Sequence, residues 1–221
     1  MNNFNDLLKN TDLFIFDCDG TLVDSMPMWN RLDFDFAEAK GIRLPEDITE
    51  KMNSLSLSEG AEYYVNVLGV KGTPESVAKE LADFAAEKYR FDIGEKPGAA
   101  EFLRFLKAEE RLIALATASE ITSLSPCLER LGMLKLIDYA VSCDDVGKNK
   151  NFPDVYLNCA EHFGLPAERC AVVEDSLHAA LTAKKAGFSV IGIYEGSYPD
   201  ADMEKLREIS DVFTEDFSRL I

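Results

Sequence analysis

Two acidic strings stand directly after short apolar runs. LFIFD (Leu13 to Asp17) continues into Cys18-Asp19-Gly20-Thr21-Leu22-Val23-Asp24-Ser25, and CAVVE (Cys170 to Glu174) continues into Asp175-Ser176. Two carboxylates spaced like Asp17 and Asp19 can face one site, one as nucleophile or metal ligand and the other moving a proton. A carboxylate suits phosphoryl transfer because the aspartyl phosphate it forms can be hydrolysed afterwards. Gly20 permits the tight turn that swings both side chains over a strand tip. Asp-x-Asp-Gly is also an ordinary turn former, so the pair alone leaves both readings open. Glu174 and Asp175 are harder to explain structurally, because nothing in sheet formation favours charge there.

The apolar runs are the elements that must position these residues. LIALAT (Leu112 to Thr117), YAVS (Tyr139 to Ser142) and VIGI (Val190 to Ile193) join the two above. Each is too short for a buried helix and near-continuously apolar, as strands covered on both faces are. Between the later runs, Pro97 and Pro153 open amphipathic segments, the first carrying Phe102, Phe105 and Leu106, the second Val155, Tyr156 and Leu157. The pattern predicts an α/β fold with a doubly wound, Rossmann-like parallel sheet. From about Met26 to Arg90 only helical patterns occur, and FDIGEKPG reads as a return linker. The expected organisation is a catalytic core of 1–24 and 95–221 with a small all-helical cap domain, 25–94, inserted after the first strand. Trp29, Phe34, Phe36, Tyr63 and Tyr64 read as packing residues of that cap or of its boundary with the core.

Composition narrows the function. The 221 residues carry a formal net charge of −17, which argues against nucleic acid or anionic membrane partners. The five cysteines show no C-x-x-C pair or zinc spacing and read as reduced thiols. Cys18, between two carboxylates, reads as unreactive. Residues 1–12 show neither the basic start nor the apolar core of a signal peptide, no apolar run approaches the length of a membrane span, and a cytoplasmic location is expected.

The string from Asp17 to Ser25 resembles the first signature of the haloacid dehalogenase-like superfamily, and three further signatures follow in order at later strand ends. Leu115-Ala116-Thr117-Ala118-Ser119 resembles the second, with Thr117 at the motif position, Ala118 at the same phosphate-binding turn, and Ser119 read as a cap for the helix beginning near Glu120. Gly147 to Asp154 resembles the third, a Lys-x-x-Pro-Asp pattern with Lys150 in register and Lys148 competing for the role. Glu174-Asp175-Ser176 resembles the fourth. The likeness is closest to the capped subgroup that includes β-phosphoglucomutase and many sugar-phosphate phosphatases.

The resemblance implies a Mg2+-dependent phosphatase acting on a small phosphorylated metabolite, a sugar or polyol monophosphate foremost. Asp17 would be the nucleophile and Asp19 the general acid and base; Thr117, Ala118 and Lys150 would bind the phosphate. The metal would sit on Asp17 and Asp175, with Glu174 and the carbonyl of Asp19 as further oxygens. The cap would close over the substrate. The expected assembly is a monomer or weak homodimer. A mutase of the β-phosphoglucomutase kind is the alternative, disfavoured because Trp29 occupies the position of its cap histidine and 51–57 contains no matching arginine. A non-catalytic binding or regulatory protein on the same fold is the further alternative.

Overall fold

The computed structural model describes residues 4–45, 48, 52 and 57–221. It divides into two compact units, Met1–Asp24 with Gly94–Ile221, and Ser25–Ile93.

In the first unit, β1 (Leu13–Phe16), β2 (Leu112–Thr117), β3 (Tyr139–Ser142), β4 (Cys170–Glu174), β5 (Ser189–Ile193) and β6 (Val212–Thr214) form one sheet. The order is β3-β2-β1-β4-β5-β6, with every neighbouring pair parallel. Helix α1 (Phe4–Asn10) precedes β1; α2 (Met26–Lys40), α3 (Leu57–Asn66) and α4 (Pro74–Phe91) belong to the second unit. Helices α5 (Ala99–Ala108), α6 (Ile121–Arg130), α7 (Cys143–Val146), α8 (Asp154–His162), α9 (Leu177–Lys185) and α10 (Asp200–Ile209) alternate with the later strands.

All four β1 side chains are fully buried. Phe14 and Phe16 meet Phe102 of α5 edge-on, while Leu13 and Ile15 join a cluster with Val155, Tyr156 and Cys159 of α8 and Ala180 and Ala183 of α9. Successive strand residues point to opposite faces, so both faces bury apolar surface at roughly 1.5–3 kcal/mol per large side chain. The continuous apolar runs follow from this double cover. The sixth strand, β6, was not among the sequence expectations. It has three residues, of which Val212 and Phe213 are only half-buried, so no apolar run marks it. Helix α5 starts two residues beyond Pro97, after Gly98 at φ 75°. A Cβ there would stand 2.6 Å from the backbone nitrogen of Ser218, which is why glycine holds the position.

The chain winds from β1 outward through β2 to β3, then crosses back to place β4 on the other side of β1. That reversal puts the topological switch point between the carboxyl ends of β1 and β4, the usual ligand crevice of an open parallel sheet. Asp17 and Glu174 lie on either side of it.

The second unit is helical among its described residues. Leu32, Phe36, Ala61, Tyr64, Val77, Leu81 and Ala85 form its core. Helix α4 begins at a reciprocal capping box, Thr73 with Ser76, with Pro74 in the first turn. Trp29 donates its indole N–H to the Tyr89 hydroxyl at 3.0 Å and lies edge-on to that ring. Phe34 is 44% exposed and lies outside the unit's core. The stretch 51–57, to which the absent arginine and Lys51 belong, lies outside the described residues except for Met52 and the backbone of Leu57.

The two connections to the insertion run side by side within the α/β unit. Asp24 N–H donates to Gly94 O and Lys96 N–H to Leu22 O, each at 2.9 Å. Lys96 is pinned by a buried ion pair with Glu195, just past β5, at 2.8 Å.

Candidate active site

The β1 pairing runs one step past the strand, with Asp17 N–H donating to Val173 O at 3.0 Å. Asp17 is thereby held level with the end of β4. The chain then turns sharply: the N–H groups of Thr21, Leu22 and Val23 all reach the carbonyl of Cys18, and Gly20 sits at φ 81°. This knot parts the two aspartates. One oxygen from each of Asp17, Glu174 and Asp175 lies within 4.8 Å of the others, all three residues being buried. The Asp19 carboxylate accepts instead from the Ser119 hydroxyl at 2.7 Å.

Lys150 Nζ donates to Asp17 Oδ1 and, at 2.7 Å, to Glu174 Oε1. Its side chain is 8% exposed. Lys148 points elsewhere, half-exposed and paired with Asp154 at 2.9 Å. Of the two competing lysines, the fold therefore brings Lys150 to the carboxylates.

Several contacts in the cluster come from residues to which the sequence analysis attached no role. Tyr156 donates its hydroxyl to Glu174 Oε1 at 2.8 Å, and Thr21 donates to Asp175 Oδ1 at 3.0 Å. Thr21 lies inside the first string and could have been noticed there. Tyr156 carried only the signal of a helical apolar face. Ser119 corrects an expectation: α6 is entered through Glu120 without a side-chain cap, and the Ser119 hydroxyl goes to Asp19. The Ser119 N–H donates to Thr117 Oγ1 at 3.0 Å, so Thr117, fully buried at the end of β2, shapes the turn. Ala118 is exposed at that tip.

The electrostatics are unbalanced. Three buried carboxylates face one ammonium, which leaves two negative charges in excess when all are ionised. Burial pushes Asp17 up to about 7; Lys150 opposes this, while Glu174 and Asp19 add to it. Burial, then Asp17 and Glu174, drive Asp175 well above the usual carboxylate range. For Lys150, burial opposes the charged form, but Asp17 and Glu174 outweigh it and raise the ammonium far above its ordinary value. Asp175 Oδ2 is buried without a hydrogen-bond partner among the described residues, which is costly unless something positive meets it. An all-oxygen donor set with excess negative charge and an orphaned oxygen fits a hard divalent cation. Cys18 is fully buried, and burial followed by Asp19 and Asp17 pushes its thiol well up.

Residues 11–187 match the family described as haloacid dehalogenase-like hydrolase. The phosphorylated carbohydrates phosphatase of Thermotoga maritima is 30% identical over 177 residues, covering 80% of this chain and 82% of that protein. Hexitol phosphatase B of Escherichia coli K12 is 26% identical over 178 residues, 78% of each. CbbY from Rhodobacter sphaeroides, solved in complex with phosphate, shares the fold at a TM-score of 0.77 and 20% identity, over 95% of this chain and 96% of that one. The chain belongs to the haloacid dehalogenase-like hydrolase family. It is a hydrolase, and these two sequence relatives are phosphatases. Among the described residues no helix is long and apolar enough to cross a membrane.

Proposed function

We propose that this protein is a Mg2+-dependent phosphatase of a sugar or polyol monophosphate, working through an aspartyl phosphate on Asp17. The observation that carries the reading is the buried set of Asp17, Lys150, Glu174 and Asp175 at the switch point, with a second aspartate, Asp19, held apart by Ser119. The names of the carbohydrate and hexitol phosphatases support the substrate class.

Asp17 attacks phosphorus, the bond to the leaving oxygen breaks, and Asp19 gives that oxygen its proton. Asp19 then takes a proton from water, which attacks the aspartyl phosphate and frees Asp17 and inorganic phosphate. Lys150 neutralises phosphate oxygens beside the nucleophile. The Thr117 hydroxyl, already accepting from Ser119 N–H, has its own proton to give to a phosphate oxygen. Asp17, Asp175 and Glu174 would hold the magnesium, which when bound supplies positive charge to the phosphoryl group being transferred. Positioning and charge stabilisation provide most of the rate.

A mutase would need a group to manage protons on a second sugar hydroxyl. Trp29 cannot supply one, and its only polar atom is spent on Tyr89. Hydrolysis is the reading preferred.

The test is phosphate release from sugar, polyol and nucleotide monophosphates and an aryl phosphate, with magnesium and with chelator, beside Asp17→Asn. Magnesium-dependent release, strongest on carbohydrate phosphates and lost in the variant, is expected. Undiminished release by Asp17→Asn would refute the scheme.

A further inference from the structure

Tyr156 is fully buried, and its hydroxyl has no part in the phosphoryl-transfer steps above. Its ring is set in the α/β core against Phe188, centroids 6.2 Å apart, and its hydroxyl reaches Glu174 Oε1 at 2.8 Å. Lys150 donates to the same oxygen at 2.7 Å. A carboxylate oxygen offers two lone-pair sites, so these two donors fill Oε1. Among the described residues the other oxygen, Oε2, has one long contact, 3.4 Å from Ser176 N–H, which leaves it capacity to spare. The last torsion of a glutamate is broad and weakly held by its own rotamer preferences. Lys150 alone, on a long flexible stem and shared with Asp17, would fix that plane poorly. A phenol on a rigid, packed ring of α8 fixes it well.

We propose that Tyr156 is a positioning residue: it commits Glu174 Oε1 to the lysine side and thereby presents Oε2 to a divalent cation bound with Asp17 and Asp175. This rests on the reading of the cluster as a cation site. Outer partners of metal ligands typically control affinity or activity by about 10–100-fold.

The experiment is calorimetric titration of substrate-free protein with Mg2+, and with Mn2+ as a second probe, for wild type, Tyr156→Phe and Tyr64→Phe. The phenylalanine at 156 keeps the ring and its packing, and thermal melts establish that each variant is folded. Tyr64 is the control, since it too is buried and gives its hydroxyl to a carboxylate, Asp33, at 2.8 Å, but in the helical unit. Tyr156→Phe is expected to bind either cation about tenfold more weakly, with turnover recovered at high magnesium, while Tyr64→Phe binds as wild type does. Cation affinity of Tyr156→Phe within twofold of wild type, or a turnover loss that magnesium does not recover, overturns the role of Tyr156 alone. Wild type binding neither cation overturns the reading of the site beneath it.

Discussion

The α/β unit and the helical unit bury different kinds of groups. Among the described residues, the buried charged side chains Asp17, Lys96, Lys150, Glu174, Asp175 and Glu195 all belong to the α/β unit. Among the described residues the helical unit buries apolar side chains such as Leu32, Phe36, Val77 and Leu81, with Ser25 and aromatic hydroxyls as its buried polar groups. Buried charge costs stability unless it is paired, so its concentration at the ends of β1 and β4 marks where stability yields to chemistry. The helical unit is free of that constraint, and volume-conserving swaps there should be mild.

The most severe change to the α/β unit's buried charge is Asp17→Asn. It should lower turnover by about 10⁴-fold or more, since the nucleophile is lost, while the fold survives with one buried charge fewer. Steady-state phosphate release and a thermal melt check both halves. Lys150→Met comes next, because it strips from the buried carboxylates the ammonium that pairs with Asp17 and Glu174. Breaking a buried pair from one side costs about 3–5 kcal/mol, and activity should fall by roughly a hundredfold or more as the phosphate loses its ammonium. Denaturant melts in chelator would read the first effect. A loss under 1 kcal/mol would mean that the cluster is not charged as described.

Ser119→Ala should be gentler, lowering turnover by about tenfold through the lost hydrogen bond that orients Asp19; Ser119→Thr, which keeps the hydroxyl, should restore most of it. A last prediction concerns stability against pH and not turnover. Between the ordinary carboxylate value of 3.8 and about 7, folded protein without metal retains the Asp17 proton that the unfolded chain releases. Stability measured in chelator should therefore decline as pH rises through that window, with Asp175 acting in the same direction. Magnesium should flatten the slope. An unaltered slope would place the cation away from these carboxylates.

Much of the fold was readable in one dimension because double-sided burial leaves continuous apolar runs, and five of the six strands carry one. The short edge strand β6 does not, since two of its three residues are only half-buried. Glu174 stood out for a related reason, since sheet formation gives charge no cause at a strand end, whereas Asp17 could equally be a turn former and Thr117 was marked only by the resemblance.

Other site features depend on which strands lie side by side. Lys150 meets Asp17 across 133 positions, and Thr21 meets Asp175 across 154. Spacing to Pro153 and Asp154 favoured Lys150 while Lys148, after Gly147, competed, and the path of the chain into α8 separates them. Ser119 looks like a helix cap until β2 is set beside β1, where its hydroxyl finds Asp19. Tyr156 looks like core until β4 brings Glu174 within reach. Local patterns determined which residues stand at strand tips, because burial acts residue by residue. Strand order and register decided which of those tips share a proton or gather into one acidic cluster, because hydrogen bonds and charge act across space.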